Sequence, residues 1–421
     1  MIGFCIRWLI SKNVRLAVDL HRTVRKITRA QSDLLKPDAT GAVLEACDQL
    51  KAVIGETADK EKLQAAMKEV EKVANKHLQP YPNATMRENV EVVLVAVAVA
   101  MGIRTFFLQP FKIPTGSMQP TLFGITHEDF RNRPDVVFPT GLHAWFDRVF
   151  RGVKYIHIVA KEGGYLEDFE PLSKHLFFFK KQRFRVGSEW YSAKGLHDEL
   201  IGGKYNRAGL QFDYSGRGRK LFEKGEDLVK LKLISGDHLF VDRLTYNFRP
   251  PRRGEIIVFA TEGINGIAQN QFYIKRLVAT GGETVRISDD RHVWIDGERL
   301  DASTFRFENV YGFDESEPPA DSQWSGHANG AYNRGLGMNL APLFPPEHRY
   351  EPGTTNIIVV TNSFTVQPNH FVVLGDNTLN SLDSRAWGDF TQTNVIGRSA
   401  FVYWPILGNG QRLSRFGWSH R

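Results

Sequence analysis

Three short segments of the 421-residue chain hold side chains that could act together as a nucleophile and its helpers. The first is Pro110-Phe-Lys-Ile-Pro-Thr-Gly-Ser-Met-Gln-Pro-Thr121, in which Ser117 lies between Gly116 and Met118 in a proline-punctuated stretch. A serine hydroxyl is a weak nucleophile until a base takes its proton. Read alone, Ser117 is equally a turn serine. Histidine is the usual base, but the chain has no G-x-S-x-G elbow and its 13 histidines show no triad arrangement. The other known helper is a lysine kept neutral by burial.

Lys275 is the lysine to consider. It sits in Phe272-Tyr-Ile-Lys-Arg-Leu-Val278, where alternation puts Tyr273, Lys275 and Leu277 on one face and Ile274, Arg276 and Val278 on the other. A lysine sharing a face with Tyr and Leu is a candidate for desolvation. The competing reading is an edge-strand lysine whose ammonium reaches water. The third segment runs from Gly375-Asp-Asn-Thr-Leu-Asn-Ser through Leu-Asp-Ser-Arg-Ala-Trp-Gly388, a dense polar loop. It offers the Ser381 and Ser384 hydroxyls and an Asp383–Arg385 ion pair, or else only turn-forming side chains.

The elements around these segments divide the chain into helical and β parts. Residues 1–89 read as a separate helical region. A stretch at 6–35, rich in Arg and Lys, suits either a helix on an anionic membrane or an ordinary packed helix. Residues 42–78 read as a helical hairpin broken at Gly55, with Pro80 and Pro82 ending it. Residues 90–108 are apolar and, as a helix, would rise about 28 Å, close to the ~30 Å of a hydrocarbon core. The excess of Lys and Arg before them favours a cytoplasmic N-terminus and an exported remainder. Beyond Leu108, short β-type runs begin at Leu239, Glu255, Phe272, Val293, Phe371 and Ser399, separated by Gly, Pro and Asn/Asp. The expected fold is therefore mostly β, an antiparallel catalytic domain at 109–421. One transmembrane helix and the N-terminal helical region precede it, and insertions at about 127–230 and 311–352 interrupt it.

Composition narrows the function classes. With 42% hydrophobic and 24% charged residues the chain is globular. Its net charge of +7 comes with no compact basic motif, so no nucleic acid is expected as a partner. The two cysteines, Cys5 and Cys47, form no ligand spacing, so neither a metal nor another cofactor is expected.

Taken together and in order, five blocks resemble the type I signal peptidases, the membrane-anchored Ser/Lys proteases that remove signal peptides from exported proteins. The blocks are Gln109 to Leu122, Ser235-Gly-Asp-His-Leu-Phe-Val-Asp-Arg243, Arg253-Gly-Glu-Ile-Ile-Val-Phe259, Tyr273-Ile-Lys-Arg-Leu-Val278 and the Gly375 to Gly388 loop. The resemblance implies Ser117 as nucleophile and Lys275 as general base. It implies Thr115, with the Ser117 N–H, as the oxyanion hole, and Ser381 as the group orienting the lysine amine. It implies Asp383, Arg385 and Arg276 as a supporting salt-bridge cluster. Two positions depart from the family pattern: Leu379 stands where an acid is usual, and Ala279-Thr-Gly-Gly-Glu283 replaces Gly-Leu-Pro-Gly-Asp. The implied function is a single-pass protease of the cell membrane. Signal-peptide-bearing preproteins and membrane lipid are its expected partners, and a secretion translocon is a candidate partner. Alternatives are a specialised Ser/Lys processing peptidase of the same fold and a catalytically silent membrane scaffold. The resemblance is silent on 1–89 and on 127–230, whose run Leu176-Phe-Phe-Phe-Lys-Lys-Gln-Arg-Phe-Arg185 reads as a strand or as a lipid-docking segment.

Overall fold

The structure, a computed structural model, describes all residues except 1–7, 9–10, 58, 80–83, 176–178, 195, 197–199, 202–209, 211–219, 331–342, 352–353, 361, 410–413 and 419–421. Cys5, Pro80, Pro82 and the start of the 176–185 run therefore lie outside the described residues. The chain divides into two compact units, Met1–Val99 and Ala100–Arg421.

In the first unit, helices Lys12–Ala30, Pro37–Glu56 and Lys60–His77 pack around Val14, Ala17, Val18, Val43, Cys47, Leu50, Leu63 and Val70. These apolar positions recur at three- and four-residue spacing, which places them on one face of each helix. The first helix thus buries its apolar stripe in the bundle and leaves Arg22, Lys26 and Arg29 exposed. Gly55 does not break the hairpin. The second helix runs through it to Glu56, and the break follows, where the Asp59 side chain caps the third helix by accepting from Glu61 N.

The apolar helix spans Ala84–Phe106, starting before the expected 90 and ending just short of Leu108, which opens a strand. Its Met86–Phe106 portion, 21 residues, is long and apolar enough to cross a membrane, and none of it is buried in protein.

The second unit is built on an antiparallel sheet of eight strands. Leu108–Lys112, His238–Asp242, Val395–Trp404, Ile256–Ala260, Phe272–Thr280, His370–Leu374 and Phe390–Thr391 lie side by side in that order, and Gly417–Trp418 adds to Val395–Trp404. Alternate residues feed two apolar clusters, as the two-residue period of a strand requires. Ile256 and Val258 join Ile113, Met118, Leu122, Leu239 and Val241. Ile257 and Phe259 join Leu277, Phe371, Val373 and Phe390. With both faces covered, the run Ile-Ile-Val-Phe has no polar alternation at all. Each strand read from the sequence is present.

The expected insertion at 127–230 holds a helix, Gly141–Phe150, and two small antiparallel sheets, one of them closed by Asp227–Ile234. Phe179–Val186 is a strand of the other sheet and pairs with Glu189–Lys194. The insertion has its own core, including Leu166, Phe184, Val186, Leu228 and Leu231. A further sheet from Thr284–Ile287 onward packs Val285, Ile287 and Val293 with Phe307 and Tyr311.

Candidate active site

Strand pairing sets the lysine. Phe272–Thr280 runs antiparallel to Ile256–Ala260, with Lys275 opposite Ile257. On its other side it pairs with His370–Leu374 only from Arg276 onward. The Ser117 loop leaves the sheet after Lys112 and turns back through residues 117–121. Two glycines permit the close approaches that hold it. A Cβ on Gly236 would meet Ile113 O at 1.8 Å, and one on Gly375 would meet Ser381 Oγ at 2.1 Å and Ser117 O at 2.5 Å. Neither contact tolerates a side chain.

The fold brings Ser117 and Lys275 together across 158 positions of sequence: Lys275 Nζ donates to Ser117 Oγ at 2.7 Å. Both residues are buried, at 5% and 4% exposure. Burial pushes the Lys275 ammonium down to about 8, against the pull of the Asp383 and Asp376 carboxylates, while Arg385 lowers it further. The Tyr273 ring stands 5.5 Å from Nζ. Such an amine can exist neutral near pH 8, within hydrogen-bonding reach of a hydroxyl.

Thr115 is exposed, and no hydrogen bond among the described residues engages its hydroxyl. Ser381 is buried beside Gly375, and its hydroxyl makes no well-formed hydrogen bond, to Lys275 or to any other described group. It is near enough to Asp383 to favour the ionised carboxylate. Asp383 and Arg385 form a bidentate pair at 2.8 and 2.9 Å, both fully buried. Asp383 also accepts from Gly375 N, and Arg385 reaches Ala328 O and Thr378 Oγ1, each at 2.9 Å. Burial alone would raise the Asp383 carboxyl; the Arg385 charge and these donors hold it below its usual range instead.

Arg276 does not join that pair. It makes a separate bidentate pair with Asp376, at 2.7 and 2.6 Å, and donates to Gly254 O and Arg306 O. Asp376 also accepts from Thr121 Oγ1 at 2.5 Å, tying the Ser117 loop to the charged layer. Asp376 stands in the quoted loop, and the signal for its role was the need of a buried Arg276 for a carboxylate. Asn377 was missed as well: its backbone N–H donates to Ser117 O and its side-chain amide to Gly116 O, both at 3.1 Å. Nothing in the sequence singled it out beyond its place next to Asp376. His327 is fully buried and feels the same charges. Burial drives its imidazole down to about 3, and its Nδ1 meets the Tyr311 hydroxyl at 2.9 Å, so it is no rival base.

The chain is similar to known proteins. The family model for signal peptidases, peptidase S26, matches residues 86–131 and 229–404, more than half of the chain. The unmatched stretch between them falls within the insertion. A signal peptidase I from Leptolyngbya laminosa is 32% identical over 178 residues, 42% of this chain and 64% of its own length. A signal peptidase I from Bacillus amyloliquefaciens is 28% identical over 175 residues, 41% of this chain and 68% of its own. A probable thylakoidal processing peptidase 2 from Arabidopsis thaliana is 27% identical over 173 residues, covering 40% of this chain and 34% of that one. The chain thus spans less than two thirds of the first of these relatives, and the N-terminal bundle and most of the insertion lie outside the residues the family model matches. The match covers every segment that forms the Ser117–Lys275 contact and the two ion pairs behind it, and the chain belongs to the S26 family of signal peptidases.

Proposed function

We propose that the protein is a membrane-anchored serine endopeptidase that removes signal peptides from exported preproteins with a Ser117–Lys275 dyad. The 2.7 Å contact between Lys275 Nζ and Ser117 Oγ, with both groups buried, carries this reading. Neutral Lys275 takes the Ser117 proton as Oγ attacks the carbonyl carbon after the last residue of the signal peptide. The developing oxyanion meets the Ser117 N–H and the Thr115 hydroxyl, donors whose worth lies in the transition state. Lys275 then protonates the leaving amine and the C–N bond breaks, leaving an ester on Ser117. Water, deprotonated by Lys275, hydrolyses that ester and restores the dyad. Because the base must be neutral, the rate falls as pH drops below about 8.

The sheet offers room for an extended substrate. Among the described strands, Phe272 to Lys275 pair only with Ile256–Ala260, and Leu108–Lys112 pairs only with His238–Asp242. An extended peptide would bind alongside these strands by strand addition, with small residues expected at the first and third positions before the cut. Ser117 follows Leu108 by about ten residues, at most ~35 Å even fully extended, which keeps the nucleophile near the surface of a bilayer crossed by Met86–Phe106. The reading puts the N-terminal bundle in the cytoplasm and the catalytic unit on the exported side of the cell membrane. Lipid surrounds the anchor, and a translocon supplies substrate. The test is cleavage of a preprotein by the purified enzyme in detergent, with mass spectrometry locating the cut. One cut after a small-x-small sequence is expected, and an intact preprotein would sink the proposal.

A further inference from the structure

Two adjacent residues of the segment after Tyr311 touch the site, Asp321 on the Gly375–Gly388 loop and Ser322 on the Ser117 loop, contacts that the dyad does not require. Asp321 Oδ1 accepts from Asn377 Nδ2 at 2.6 Å. The Ser322 hydroxyl donates to Gln119 Oε1 at 2.5 Å. Asn377 is fully buried, and its Nδ2 also donates to Gly116 O. Both groups facing that amide, a carbonyl oxygen and a carboxylate, are acceptors, so the NH₂ must point at them. As a result Asn377 Oδ1 is left buried without a donor. An unpaired buried acceptor costs stability, so the arrangement persists only because its other side is held.

What is held is a peptide plane. The Gly116 carbonyl and the Ser117 N–H belong to one planar trans unit and point in opposite directions. Turning one turns the other. Gly116 O is fixed from two sides, by Asn377 Nδ2 at 3.1 Å and by Gln119 N at 3.0 Å. The next plane is fixed by Asn377 N, which donates to Ser117 O at 3.1 Å. The direction of the Ser117 N–H is thus set through the amide of Asn377, and Asp321 sets the rotation of that amide.

We propose that Asp321 is a positioning residue for the oxyanion donor. Its carboxylate orients Asn377, Asn377 orients the Gly116–Ser117 peptide, and that peptide aims the Ser117 N–H at the developing oxyanion. This rests on the Ser117–Lys275 reading and adds to it a part supplied by the expected insertion at 311–352. Asp321 is exposed, so replacing it opens no cavity in the core. The charge on the carboxylate also strengthens the two hydrogen bonds of the amide it holds.

The experiment compares wild type, Asp321→Ala and Asp321→Asn as full-length enzymes in detergent, cleaving a preprotein. The fraction of reactive Ser117 is counted with a serine-acylating probe, so that kcat refers to competent enzyme only. Asp321→Ala is expected to lower kcat about tenfold. KM should stay within about twofold, and the midpoint of the acid limb should not move, because Lys275 is untouched. Asp321→Asn keeps an acceptor oxygen and should restore most of the rate. A cleaving wild type with Asp321→Ala at the same kcat overturns the clamp alone, as does Asp321→Asn no faster than Asp321→Ala. A wild type that cleaves nothing overturns the processing reading and the clamp with it.

Discussion

Lys275 in the catalytic sheet and Lys154 in the insertion are both driven down to about 8, in each case chiefly by burial. Their surroundings differ in one respect that matters. Lys275 Nζ faces the hydroxyl of Ser117, which has a proton to give. Lys154 Nζ donates to the backbone carbonyl of Lys194, which has none. A third lysine, Lys230, is as buried as Lys275, yet its Nζ reaches the Arg133 carbonyl at 3.0 Å and the Asp227 carboxylate at 3.6 Å. Burial is therefore not what separates a base from a structural lysine. The partner is, and the partner comes from a different part of the chain.

The sharpest way to break this comparison is to remove each lysine. Lys275→Ala, assayed on a preprotein, should cost at least about a thousandfold in kcat/KM, the scale of losing a dyad member. Lys154→Ala should stay within about twofold, as a change remote from the chemistry does. Equal losses in the two variants would erase the distinction.

A second measurement sharpens it through stability. Lys275 titrates near 8 in the fold and near ~10.4 when unfolded, so between those values the unfolded chain binds more protons than the native one. Stability then rises with pH across that window, and below it the buried charge costs about 3 kcal/mol. Lys275→Met should therefore raise the thermal midpoint at pH 7 by several degrees, and the gain should fade towards pH ~10. A variant no more stable than wild type at pH 7 would contradict burial as the dominant cause.

The smallest expected loss within the candidate site belongs to Ser381. Its hydroxyl makes no well-formed bond in this structure, although the family resemblance gives it the task of orienting the lysine amine. Ser381→Ala should lower kcat about two- to tenfold, the worth of one ordinary hydrogen bond. A thousandfold loss would mean that the serine engages Lys275 directly once substrate arrives.

These contrasts also show what the sequence could and could not disclose. Ser117 and Lys275 were each ambiguous alone, one a turn serine and the other an edge-strand lysine, and only the resemblance of five ordered blocks singled them out together. The sheet was legible because its short β-type runs are separated by Gly, Pro and Asn/Asp. Partnership among charges was not. Arg276, Asp376, Asp383 and Arg385 can be paired in more than one way, and only distances decide that Arg276 takes Asp376. Asn377 and Asp321 were invisible for a related reason, because their work is to aim backbone groups, which leave no trace in residue type. Gly55 misled because a helix tolerates glycine at a modest cost, whereas the Asp59 cap fixes where the next helix starts.

The separation of 158 positions between Ser117 and Lys275 has a consequence for how the proposed dyad comes into being. A contact that distant in sequence is made only after the strands between have found their places, since the entropy of closing so long a loop must first be offset by packing. Until then the lysine is solvated and charged, and the serine has no base. A half-folded chain thus lacks the assembled pair. In a refolding time course, the proposed peptidase activity should return with tertiary structure and not before.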